Sequence, residues 1–551
     1  MDTLHTPADV VFRDGPILTM DAARRRTRGL AVRDGRIVAL GADVDDLVGP
    51  RTEVVNLRGR LLLPGFQDAH VHPVVAGLES LRCDLTAVRD AACTLDAIAS
   101  YAARHPEAEW IAGGGWSMES FPGGTPTAAM ADTVVPDRPM YLPNRDHHGA
   151  WVNSRALELA GIDRHTPDPV GGRIERDEHG NPTGTLQESA MDLVSHLLPA
   201  VTVNEMVEAL LLAQQHLHRL GITAWQDAMV GTGSSLPDAT DAYTRTAADG
   251  TLTARVVAAQ WWDRGRGAEQ IDEFIERRRR LEVGRIAAST VKLMVDGVAE
   301  SQTAAMLEPY VSCGCAREHR GTTFIEPRDL AKYVTEIDAA GFQTHFHALG
   351  DRAVRHSLDA IELARRTNGF RDTRPHLAHI QVVDPADVPR FSRLGVIANM
   401  QPLWAAHEPQ MDELTIPFLG AERARRQYPF GDLLRSGATL AAGSDWPVSN
   451  ADPLAGIHVA VNRRLPGQGD QVPTFLPEQR LDLMTALAAY TAGSAYVNHL
   501  DASTGSIRLG AAADLVVLDR DPFAHPEDQI ADTAVVATYV DGRCVHRHPA
   551  M

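Results

Sequence analysis

His70-Val71-His72 is the first place where residue type and spacing together suggest chemistry. The apolar run Leu61-Leu62-Leu63-Pro64 leads into Gly65-Phe66-Gln67-Asp68-Ala69 and then into the two histidines. On a β-strand, residues i and i+2 point to the same side, so both imidazoles can aim at one point. Neutral imidazole is the commonest protein ligand for zinc-like ions. Four other residues have the same potential. Lys292 is a lone lysine in the apolar run Thr290-Val291-Lys292-Leu293-Met294-Val295, and His347 ends Gln343-Thr344-His345-Phe346-His347. His379 lies in Pro375-His376-Leu377-Ala378-His379-Ile380, and Asp445 follows Gly443-Ser444. Each also has a plain structural reading. Lys292 can snorkel or pair with Asp296, and Asp445 can cap a helix. His345 shares a face with His347, and His376 precedes His379 by three, so spacing alone leaves the choice within each pair open.

These residues need a scaffold that brings distant segments to one place. Eight β-like runs occur in order: the run ending at His72, Ile222–Asp227, Ala254–Ala259, Thr290–Val295, Gln343–His347, Pro375–Ile380, Val396–Met400 and Thr439–Asp445. Helical periodicity separates them. Met206, Leu210, Ala213, Leu217 and Leu220 form one stripe that stops at Gly221, and Leu330, Val334 and Ile337 form another that stops at Gly341. Eight β-α alternations predict an α/β fold, a (β/α)8 TIM barrel, with the active site at the C-terminal ends of the strands. The candidate ligands sit at those ends. Five separate coincidences at five strand ends are less economical than one metal site.

Both ends of the chain read differently. Asp34-Gly35 and Asp541-Gly542 sit between short apolar runs, a strong hairpin signal. We therefore expect a small β-sandwich built jointly from residues 1–62 and 500–551, flanking a barrel over 63–499. A large insertion after the first barrel strand, about 85–200, exceeds any ordinary loop and should lean over the barrel mouth.

The chain has 551 residues, a net charge of −19 and five scattered cysteines. The acidic balance excludes nucleic acid and anionic membrane as expected partners, since both demand a basic surface. The odd cysteine count suits a reducing, cytoplasmic setting, and Cys313-Gly314-Cys315 reads as loop because no second cysteine pair accompanies it. Met1 to His5 show no basic or apolar leader, and no run of about 18 apolar residues occurs, so neither signal peptide nor membrane helix is expected.

Taken together, these residues resemble the amidohydrolase superfamily, and within it the amidohydrolase-3 branch that includes N-substituted formamide deformylases. The resemblance runs through Asp34-Gly35-Arg36-Ile37, Asp68-Ala69-His70-Val71-His72, Gly221-Ile222-Thr223, Val291-Lys292 and Asp296-Gly297. It continues in His347-Ala348-Leu349-Gly350-Asp351-Arg352-Ala353, Gly443-Ser444-Asp445 and Ala513-Asp514-Leu515-Val516. The insertion matches in Trp151-Val152-Asn153-Ser154 and Gly180-Asn181-Pro182-Thr183-Gly184.

The resemblance implies His70 and His72 on a buried metal, a carbamylated Lys292 as bridging carboxylate, and His347 and His379 on a second metal, with Asp445 on the first. It selects His347 over His345 by the His-Ala-x-Gly-Asp context, and His379 over His376 by the downstream stretch from Asp384 to Gly395. One or two Zn²⁺ ions are the implied cofactor; an unmodified Lys292 would accompany a single ion. The implied reaction is hydrolysis of a non-peptide C–N bond in a small-molecule amide, an N-substituted formamide or N-acyl amine, by metal-activated hydroxide. Asp445 serves as general base and then acid. Trp116, Arg145, Asp146, His148 and Trp151 of the insertion, with Asp296, are the expected substrate contacts. A homodimer is an admissible assembly. Deaminase, cyclic amidase or esterase chemistry, a lyase or isomerase, and a catalytically silent binding relative are the alternatives.

Overall fold

A computed structural model describes residues 6–232, 237–311, 319–549 and 551. Met1 to His5 and Cys313-Gly314-Cys315 lie outside these residues. At its centre is an eight-stranded parallel sheet whose order follows the sequence. Its strands are β1 (Phe66–Val71), β2 (Ile222–Val230), β3 (Arg255–Trp261), β4 (Ile286–Met294), β5 (Gln343–Ala348), β6 (His376–His379), β7 (Ile397–Met400) and β8 (Leu440–Ala442). Backbone bonds past the strand ends bring the last strand to the first: Asp445 N–H donates to His70 O at 2.8 Å and His72 N–H to Trp446 O at 2.9 Å. The approach is close enough that a Cβ on Gly443 would stand 2.6 Å from the His70 nitrogen, so this position demands glycine. The expected (β/α)8 barrel is thus the observed architecture, nearly closed at the β8–β1 seam.

The helices between strands bury the stripes that the sequence periodicity indicates. Helix α1 (Pro73–Ser80) starts on a proline directly after His72. Helix α2 (Val203–Arg219) opens with a reciprocal capping box between Thr202 and Glu205 and buries Met206, Leu210, Ala213 and Leu217. Helix α3 (Pro327–Ala339) buries Leu330, Val334 and Ile337 beside helix α4 (Asp351–Asn368). Outward-facing strand residues such as Phe346 complete this apolar layer.

The barrel interior, by contrast, is filled with polar side chains in layers. Lowest lie Gln226, Thr290 and Gln343, joined by bonds of 3.2 and 2.7 Å through Gln343 Oε1. The period of two along β5 then places His345 above Gln343 and His347 above His345. Parallel register sets Lys292 beside His345 and His345 beside His376.

The chain ends share one apolar core, with Val10, Phe12, Leu30 and Ile37 packed among Leu515, Val517 and Tyr539. Strand Leu515–Leu518 pairs antiparallel with Leu62–Pro64, so the terminal sheet runs just past residue 62. Both Asp-Gly turns take positive φ at both positions, 50° and 72° for Asp34-Gly35 and 45° and 71° for Asp541-Gly542, as tight hairpins require. The insertion forms its own six-stranded sheet between Cys83 and Glu188. Among the described residues, no helix is long and apolar enough to cross a membrane.

Candidate metal centre

The six residues singled out as ligands line one cavity of about 570 Å³ at the C-terminal mouth of the barrel. His70 Nε2 and His72 Nε2 stand 3.1 and 3.0 Å from Asp445 Oδ1. The three ligand atoms lie within 4.8 Å of one another. Neither contact has hydrogen-bond geometry, and Asp445 Oδ1 has no hydrogen-bond partner among the described residues. Both ring nitrogens of His379 and Nδ1 of His347 are also buried without partners. Orphaned buried polar atoms are costly unless something satisfies them. Imidazole nitrogens converging on a carboxylate fit a divalent cation.

The backbone is bent to achieve this convergence. Asp445 takes φ 57° and His379 φ 76°, left-handed values that cost about 1–3 kcal/mol each for non-glycine residues. Asp68 Oδ1 accepts from the backbone N–H of His70 and of Ser444, both at 3.0 Å, tying the two ligand loops together. His379 N–H donates to Gln401 Oε1 at 2.7 Å, and its ring stacks on Trp404 at 5.2 Å and 7°.

Burial, reinforced by the nearby Lys292 charge, pushes the His70 imidazole down to about 3, and burial holds His347 and His379 well below their ordinary range. Burial would raise Asp445, but the histidine contacts prevail and keep it ionised. The consistent state is an anionic carboxylate facing neutral imidazoles, the form ligands must take. Burial also lowers the Lys292 amine to about 7; it is 3% exposed, with Nζ 3.3 Å from His345 Nε2.

His345 and His376 do not line the cavity; they form the layer beneath it. His345 Nε2 stands 2.8 Å from His70 Nδ1, and its ring lies tilted by 37° against His376 with centroids 4.0 Å apart. His376 is held by Gln226 Oε1 at 3.1 Å and Asn399 Nδ2 at 3.2 Å.

The expected substrate contacts divide. Asp146 and His148 line the metal cavity, and Arg145 lines an adjoining chamber. Trp116 and Trp151 lie instead in the core of the insertion. Their indole N–H groups donate to Leu142 O and Thr127 O, and both rings pack on Phe121. Two large apolar rings in a small subdomain are worth more buried than lining a polar mouth. Asp296 is fully buried away from the cavity, accepting from the backbone N–H of Ala305, Leu349 and Gly350, with Oδ1 3.5 Å from His347 Nδ1. Its place is to brace the loop after β5.

Sequence reasoning missed Glu188 and Glu79. Glu188 accepts from His148 Nδ1 at 3.0 Å and from Thr303 Oγ1 at 2.7 Å, from a left-handed backbone with φ 53°. Burial opposes a charge on His148, but the Glu188 carboxylate prevails and raises it to about 9, so a cation lies 5.2 Å from the His347 ring. Glu79, on α1, faces His147 Nε2 at 3.3 Å, and both its oxygens are otherwise unpartnered. Burial raises Glu79 to about 8 and lowers His147 to about 4, so a neutral acid meets a neutral imidazole. Glu188 lies only four residues beyond the Gly180–Gly184 motif, but nothing in its spacing ties it to His148.

Comparison with known proteins agrees with this geometry. The profile of the amidohydrolase family matches residues 53–546. The chain is 32% identical to Protein LONG AFTER FAR-RED 3 of Arabidopsis thaliana over 97% of this chain and 91% of that protein. It is 27% identical to N-substituted formamide deformylase of Arthrobacter pascens, over 97% of each. An uncharacterized metal-dependent hydrolase from Pyrococcus horikoshii superposes with a TM-score of 0.72 at 25% identity, covering 94% of this chain and 99% of that one. The chain belongs to the amidohydrolase family, as a metal-dependent hydrolase of carbon–nitrogen bonds.

Proposed function

We propose that the protein hydrolyses a linear amide of a small molecule, an N-substituted formamide or N-acyl amine. The observation that carries this reading is the set of buried, unpartnered ligand atoms around Asp445 Oδ1 at one barrel mouth. His70, His72 and Asp445 would hold one zinc ion. His347 and His379 would hold a second, with Lys292 bridging as its carbamate. An amine lowered to about 7 by burial is about half neutral near neutral pH, and the neutral form adds CO₂ to become an anion. These residues would thereby gain a Lewis acid able to polarise an acyl oxygen and to lower the pKa of a water towards ~7. Similarity to the deformylase of Arthrobacter pascens supports the amide class.

The chain's own groups supply the proton traffic. Asp445, ionised at the centre of the site, takes the proton of the attacking water and delivers it to the departing nitrogen. His148, held charged by Glu188, presents a donor to the acyl oxygen as charge develops on it. A small substrate fits a cytoplasmic enzyme with no nucleic-acid or membrane partner.

The test compares wild type with Asp445→Asn for metal content and for amine release from formamides and N-acyl amines. Turnover falls by ~10²–10⁴ with metal retained, the range of a lost general base. Unchanged turnover sinks the assignment.

A further inference from the structure

A second chamber of about 450 Å³ adjoins the metal cavity. Asp146, Val298, Leu349, Trp404 and Val448 line both, so the two spaces share one wall, and the ring stacked on His379 belongs to it. The chamber is not an apolar extension. Glu300, Glu408, Gln381 and Tyr428 line it, and the insertion adds Arg89 and Arg145.

The acceptors there have spare capacity. Gln427 donates its amide nitrogen to Ala424 O at 3.3 Å, so only its oxygen can receive the Gln381 amide nitrogen, 3.2 Å away. That fixes the Gln381 amide with Oε1 as a bare acceptor; the residue is 1% exposed and this oxygen has no partner. The Glu408 carboxylate has no hydrogen-bond partner among the described residues, and Glu300 receives one bond, from Thr415 Oγ1. The arginines offset this group only in part: Arg145 is committed to Glu119, which leaves Arg89 against the carboxyls of Glu300 and Glu408. Arg145 is bound to Glu119 at 3.0 Å and to Ser117, while Arg89 donates to the backbone carbonyls of Thr86 and Val88. Burial and the neighbouring carboxylates Glu119 and Glu300 push Glu408 up to about 7, against Arg145 and Arg89, so it is about half protonated near neutral pH and a bound cation would draw it to the ionised form. Unfilled acceptors with excess negative charge match a ligand rich in N–H donors and positive.

The chamber also lies on a definite side of the scissile bond. Residues 446–450 line it, directly following Asp445 on the same loop. A leaving nitrogen that takes its proton from Asp445 departs towards that loop. We propose that the second chamber binds a protonated primary amine at the far end of the substrate's nitrogen substituent, making the substrate class N-acylated diamines. This rests on the amide-hydrolase reading above.

The experiment compares a homologous series of N-formyl diaminoalkanes with N-formyl alkylamines of matched length. Wild type favours the ammonium compound in kcat/KM by about tenfold or more at the best length, the worth of one hydrogen bond between charged groups. The ratio collapses to near unity in Glu408→Gln and in Gln381→Leu. Because it is a ratio within one preparation, the folded fraction of a variant cancels. No preference at any length, or a preference that survives both substitutions, overturns the proposal. If neither series is hydrolysed, the amide reading has failed, and calorimetry with the plain diamine judges the chamber alone. Binding weakened tenfold by Glu408→Gln then supports it, and no binding to wild type overturns it.

Discussion

His376 and His379 stand three residues apart on one strand, are equally buried, and are the same residue type, yet they belong to opposite regimes. His376 has a partner for each ring nitrogen, Gln226 on one side and Asn399 on the other. His379 has none for either. On β5 the contrast is only partial: His345 Nε2 meets His70 and Lys292, but its Nδ1, like that of His347, has no partner among the described residues. The lower layer of the barrel is largely hydrogen-bonded, with His345 Nδ1 the exception among its histidine nitrogens; the upper layer holds more polar atoms without partners among the described residues, facing a cavity. Burial and residue type do not distinguish a metal ligand from a structural histidine here. Satisfaction does.

The sharpest way to break this comparison is His379→Leu. On the proposed reading the His379 nitrogens serve a cation, and an apolar side chain in its place can still pack on Trp404, so its removal costs the ion and the activity together. We expect turnover to fall by ~10³–10⁴-fold, the upper end of what a lost general base costs, while the apo protein melts no lower than wild type. A marked loss of apo stability would mean that His379 belongs to the network after all.

Much of this contrast was legible in the sequence, and the limit is physical. Strand order, helix stripes and Asp-Gly turns are local signals, and each led to its element. His70, His72, Lys292 and Asp445 stood out because a polar residue in an apolar strand end needs a reason. His345 and His376 stood out equally, because period and composition reveal which face a side chain takes but not whether its nitrogens find partners. That depends on Gln226 and Asn399, distant in the chain. Trp116 and Trp151 misled for the opposite reason. An aromatic near a site motif reads as a substrate contact until the insertion is seen to need a core of its own.

A smaller effect tests the boundary between the layers. For His70 to offer Nε2 to a cation, its Nδ1 must carry the hydrogen, and His345 Nε2 at 2.8 Å accepts it. His345→Leu leaves that N–H unpartnered, at about 1–3 kcal/mol. Metal affinity should weaken by ~10–100-fold, the usual effect of losing an orienting partner. Competition with a chelator measures it. Affinity unchanged within error would place His345 in the scaffold only.

The smallest expected effect lies outside the histidine layers, where Glu79 and His147 pose the same question for an acid. Glu79 is 6% exposed, and burial holds its folded pKa at about 8 against an ordinary 4.5. Between those values the folded state keeps a proton that the unfolded state has released. Stability contributed by this group is therefore full below about 4.5 and declines as pH rises towards 8. Above that the folded carboxyl ionises too and the loss levels off. Glu79→Gln keeps a hydrogen-bond donor towards His147 and cannot ionise, so the variant escapes this decline. Its melting temperature should approach wild type near pH 5 and exceed it increasingly towards pH 8, at roughly 2 °C per kcal/mol for a large domain. A difference independent of pH would show that Glu79 is ionised in the fold and paired with a charged His147. That outcome would turn this pair from a neutral, unpartnered contact into an ionic one, and would separate it from the orphaned atoms around Asp445.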